Sequence, residues 1–78
     1  MPSLRRQFGN RLKSIRLDRK VTQEEFAELV GISVDFLSLI ERGINSPGFE
    51  VLARMANRLG MQVRELFDFR KMGRPGGL

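Results

Sequence analysis

The stretch TQEEFAELVGISVDFLSLIER, Thr22 to Arg42, decides how this chain folds. Thr22 and Glu25 stand three apart, just ahead of Phe26, Ala27 and Val30. That spacing makes a capping box: the threonine hydroxyl accepts a backbone N–H, and the glutamate reaches back to the Thr22 N–H. The apolar residues then share one face of a helix. Gly31 falls where that helix needs a left-handed residue, which glycine fills without strain. Ser33 caps a second helix, with Leu37 and Ile40 turned inward, and Gly43 ends it. Two short helices therefore meet across a tight turn, the layout of a helix-turn-helix.

The same signals extend outward from this motif. Ser3 is the expected N-cap of a first helix over about Leu4–Arg19, with Phe8, Leu12 and Ile15 as its buried stripe. Gly9 inside it points to close packing against a neighbour. Ile44 to Gly48 reads as a loop, with Ser46-Pro47-Gly48 as its turn signal. A fourth helix is expected over Phe49–Leu59, with Leu52, Ala53, Ala56 and Leu59 facing the core, and Gly60 stops it. A last helix over Val63–Phe69 offers Val63, Leu66 and Phe67. Residues 70–78 end in GRPGGL and are expected to form a flexible tail. The sum is an all-α fold of five helices with no strand, no repeat and no second domain.

Composition narrows the chemistry. At 78 residues the chain is one small domain with a modest core. It holds no cysteine and no histidine, so it lacks thiolate sites, the usual zinc ligands and the commonest general base. No glycine loop cradles phosphates, and the glycines fall at helix ends. An enzyme is not expected, nor a cofactor or a metal. No apolar run approaches the roughly 18 residues of a membrane span, so a soluble cytoplasmic protein is the expectation.

The net charge of +5 is unevenly placed. Residues 1–20 carry +6, residues 21–69 carry −4, and residues 70–78 carry +3. Positive potential at the two ends points to a polyanionic partner, while the central motif is acidic.

Gln23-Glu24-Glu25-Phe26-Ala27 with Gly31-Ile32-Ser33, Leu37-Ser38, Ile40-Glu41-Arg42-Gly43, Pro47 and Leu59-Gly60 resemble the phage-repressor and Cro-like (XRE) helix-turn-helix family. The resemblance covers residues 12–66, leaving residues 1–11 as a basic N-terminal part of helix 1. It implies a compact five-helix repressor-like domain that binds double-stranded operator DNA as a two-fold dimer, with helix 3 in the major groove. It also implies that Gln23 anchors a phosphate, and that Arg16 and Glu41 form a buried ion pair between helices 1 and 3. A helix N-terminus suits an anion, in keeping with the first role.

On helix 3, Val34, Asp35, Ser38, Leu39 and Arg42 share the outward face. The family often carries Gln, Asn, Arg or Lys at such positions, the side chains that read guanine and adenine. Here only Arg42 is of that kind. Val34 and Leu39 suit thymine methyl groups, Asp35 suits the cytosine amino group, and Ser33 and Ser38 bond either way. Asp35 equally reads as a first-turn acid favoured by the helix dipole. Affinity is then expected from phosphate contacts by Arg42, Asn45, Ser46 and the N-terminal arginines. A homodimer is expected through Leu66, Phe67 and Phe69 of the last helix, with recognition helices about 34 Å apart. The rival is an antitoxin or other partner-binding regulator on the same fold, using Val34, Phe36 and Leu39. The plainer role for Phe36 is packing against helix 4.

Overall fold

The computed structural model describes residues 2–71. Five α-helices follow in order: α1 Leu4–Asp18, α2 Gln23–Val30, α3 Val34–Glu41, α4 Phe49–Leu59 and α5 Val63–Leu66. A 3-10 turn, Phe69–Lys71, closes the described chain, which contains no strand. The stretch expected as a tail therefore begins helically; residues 72–78 lie outside the described residues.

The caps form where the sequence places them. The Ser3 hydroxyl accepts from the Arg6 N–H at 3.2 Å. Thr22 accepts from the Glu25 N–H at 3.1 Å, and the Glu25 carboxylate accepts from the Thr22 N–H at 2.9 Å. Ser33 accepts from the Phe36 N–H at 3.1 Å. Gly31 takes φ 81°, the left-handed C-cap between α2 and α3. Gly9 serves packing instead: a Cβ there would collide with the Ile40 carbonyl. Its absence lets α1 lie directly on the C-terminal end of α3.

Phe8, Leu12 and Ile15 of α1, Phe26, Ala27 and Val30 of α2, and Leu37 and Ile40 of α3 form the core with α4 and Leu66. Two expectations change in α4 and α5. On α4 the buried stripe is Leu52, Met55, Ala56 and Leu59, while Ala53 is exposed. Met55 sits one turn from both Leu52 and Leu59 and fills the space between α2 and α4 that a single methyl cannot. The last helix is one turn long, not seven residues. After Leu66 the backbone bonds shorten to the i−3 pattern, Phe67 to Arg64 at 3.1 Å and Asp68 to Glu65 at 3.3 Å. This tightening carries Phe67 back against Phe8, ring centroids 5.0 Å apart, and Phe69 against Phe67 at 6.2 Å. Val63 is left exposed.

Several arginines hold helix ends. Arg54 donates to the Gly31 carbonyl at 2.8 Å and Arg58 to the Leu29 carbonyl at 3.3 Å, both at the C-terminus of α2. Arg19 donates to the Leu59 carbonyl at 2.7 Å, and the buried Arg11 to the Glu65 carbonyl at 3.0 Å. Each meets carbonyl groups that a helix end leaves unpaired. Far from the motif, the Arg70 guanidinium beside Asp68 holds that carboxyl below the usual carboxylate range.

Candidate nucleic-acid interface

Three elements converge beside the motif. Arg16 of α1 and Glu41 of α3 form a two-pronged pair: Nε to Oε2 at 2.7 Å and the second guanidinium nitrogen to Oε1 at 3.1 Å. Arg16 also donates to the Val21 carbonyl at 3.1 Å, in the turn that leads into α2. Both residues are buried, 9% and 7% exposed. Such a pair keeps its charges only if the remaining donors and acceptors are met. They are: no buried side-chain nitrogen or oxygen among the described residues lacks a partner.

Gln23 is the third member. Its side-chain amide donates to Glu41 Oε1 at 3.0 Å. The carboxylate thus aims the glutamine at the N-terminus of α2, with the second amide hydrogen free for an acceptor. The sequence did not signal this bond, because the partners lie 18 residues apart and α2 meets the end of α3 only in the folded chain.

On α3 itself, Ser33, Asp35 and Arg42 are exposed, while Val34, Ser38 and Leu39 are half-buried. Val34 leans on the core, and so does Phe36, which supports its packing role over a partner-binding one. The Ser33 oxygen is engaged as a cap, leaving its O–H as the group free to donate. Asp35 forms no ion pair among the described residues. Beyond α3 the Leu39 carbonyl accepts from the Ile44 N–H at 2.9 Å and the Asn45 N–H at 3.3 Å. These bonds hold the loop that carries Asn45 and Ser46, both exposed.

This arrangement of caps, turn and buried pair agrees with a helix-turn-helix family model, which matches residues 12–66. The chain belongs to the phage-repressor and Cro-like (XRE) helix-turn-helix family. Members of this family are DNA-binding transcription regulators, not enzymes. The chain is 42% identical over 55 residues to an immunity repressor protein of Bacillus phage phi105, covering 70% of this chain and 38% of that protein. It therefore spans about two fifths of the phage repressor. It is 29% identical over 72 residues to the control protein C.BamHI of Bacillus amyloliquefaciens, covering 91% of this chain and 89% of the other. Its fold is similar to the crystal structure of the clp gene regulator ClgR from C. glutamicum, with TM-score 0.78, 36% identity, and 88% and 90% of the two chains covered.

Against that family frame, the distribution of charge is informative. Arg54, Arg58 and Arg64 are all hydrogen-bonded within the chain, Arg64 to Gln62 Oε1 at 2.6 Å. The Arg42 side chain donates to nothing among the described residues and lies on the exposed end of α3. Of the motif's own cations, it is the one the structure leaves available to a ligand. No described helix is long and apolar enough to cross a membrane.

Proposed function

We propose that this protein binds double-stranded operator DNA and regulates transcription, with α3 in the major groove. The observation that carries this reading is the Gln23–Glu41–Arg16 cluster. It fixes the α2 N-terminus, where backbone N–H groups suit a phosphate, to the end of α3. Gln23 then grips one phosphate, while Arg42, Asn45 and Ser46 grip the backbone at the far end of α3. Between them Ser33, Val34, Asp35, Ser38 and Leu39 meet base edges. Selection from random duplex DNA, followed by anisotropy on the recovered site, tests this. Recovery of a pseudo-palindrome supports it; a pool that stays random, with no saturable binding, contradicts it.

We further infer that the binding unit is a homodimer. Leu66 cannot contribute, because its own protomer covers it completely. An apolar groove of about 390 Å³ runs between the start of α1, the loop before α4 and the end of α5, lined by Leu4, Phe8, Pro47, Phe49, Leu52 and Phe67. Phe49 stands 90% exposed at its lip and Leu4 60%. The face is continuous with Phe69 through Phe67. A second copy suits it, because a two-fold axis lets each Phe49 enter the other's groove. Phe49→Glu is expected to shift the sedimenting species to monomer and to weaken operator binding. A dimer unchanged in Phe49→Glu would remove this face from the account.

A further inference from the structure

The N-terminal basic cluster can now be divided by what each side chain does. Arg11, Arg16 and Arg19 are committed to partners within the fold. Arg5 lines the apolar groove. Arg6 and Lys13 remain exposed, and their side chains donate to nothing among the described residues.

Their placement is specific. In an α-helix, Arg6, Asn10 and Lys13 fall within about 60° of one another and form one stripe. That stripe borders the line where α1 lies on α3. Gly9, beside it, meets the Ile40 and Glu41 carbonyls. Arg16, one turn past Lys13, holds Glu41 and through it Gln23. At the other end, a Cβ on Gly43 would sit 3.1 Å from the Arg6 Cα, so Arg6 abuts the residue that follows Arg42. The stripe thus runs from beside the Gln23 cluster to beside Arg42 and Asn45, the two ends of the proposed phosphate contacts.

We propose that Arg6 and Lys13, with Asn10 between them, form a track on α1 for DNA backbone phosphates. It joins the two phosphate sites of the motif without reading any base. The proposal rests on the DNA-binding reading above and names a binding surface beyond it. Its chemistry is charge on phosphate: each cation that neutralises one phosphate releases condensed counterions and steepens the salt dependence of binding. An otherwise acidic motif gains its positive flank from α1 in this way.

The test uses the full chain and the duplex recovered by selection, titrated by anisotropy at several salt concentrations. The wild type serves first: absence of saturable binding in it would end the DNA-binding reading itself and this proposal with it. Given wild-type binding, Arg6→Gln with Lys13→Gln is expected to lower the slope of log affinity against log salt by about 1.8, roughly 0.9 for each phosphate released. The ratio of affinities for selected and scrambled duplexes should stay constant, because phosphates carry no sequence information. Arg64→Gln, an equal loss of charge on α5, should leave the slope unchanged. Arg6→Lys with Lys13→Arg should restore it. A melting curve matching the wild type separates these effects from unfolding. A double variant with wild-type slope, or an Arg64→Gln variant with an equal loss of slope, would overturn the track.

Discussion

The two faces of α3 are built by different rules. The inner face is fixed several times over. Leu37 and Ile40 are fully buried, Glu41 is bonded by Arg16 and Gln23, and Ser33 caps the start. The outer face carries Val34, Asp35, Ser38 and Leu39, with Arg42 at its end. It holds a carboxylate without an ion-pair partner among the described residues, and little that pairs strongly with a base edge. The contrast separates two tasks. The inner face orients the helix, and the outer face selects DNA sequence only weakly. Grip on DNA must then come from charges around the helix.

The largest expected effect breaks the inner face. Arg16→Ala strands the Glu41 carboxylate in a buried site and should cost about 3–5 kcal/mol. A domain of this size has total stability of the same order, so the variant should be largely unfolded at room temperature. A melting temperature equal to the wild type would show that the pair contributes nothing. Next comes Gly9→Ala. Its methyl must push α3 away from α1, an overpacking cost of about 1–3 kcal/mol that chemical denaturation would read as a lower midpoint. An unchanged midpoint would mean that the contact yields freely.

The smallest effect belongs to the outer face. Asp35→Asn removes a carboxylate that phosphates repel, so non-specific DNA affinity should rise by roughly a few-fold at low salt, and less at high salt as screening grows. Anisotropy on a scrambled duplex measures it. A fall in affinity would mean that Asp35 holds a DNA group after all. Stability should barely change, since Asp35 is exposed.

The difference between the faces also explains what could be read from the sequence. Capping signals act over three or four residues, so Ser3, Thr22, Ser33 and Gly31 located the helix ends correctly. The family pattern, carried by residues spread over 12–66, supplied the Arg16–Glu41 pair. Contacts formed only by the folded chain were not legible. The Gln23 bond to Glu41 is one example, and the engagement of Arg54 and Arg58 at the end of α2 is another. Net charge alone counts those arginines as available to DNA, while their geometry assigns them to carbonyl groups. The short last helix was missed for a similar reason. Its apolar residues fit a helix through Phe69, but stacking of Phe67 on Phe8 favours a tighter turn.

The central claim is that binding derives mainly from phosphate contacts and modestly from base contacts. The most direct measurement compares wild-type affinity for the selected duplex and a scrambled one, between about 50 and 200 mM salt. The account predicts a steep, nearly parallel loss on both duplexes and a specificity ratio near the low end of the usual range, about 10³. An affinity flat across that range, or a ratio near 10⁷, would contradict it.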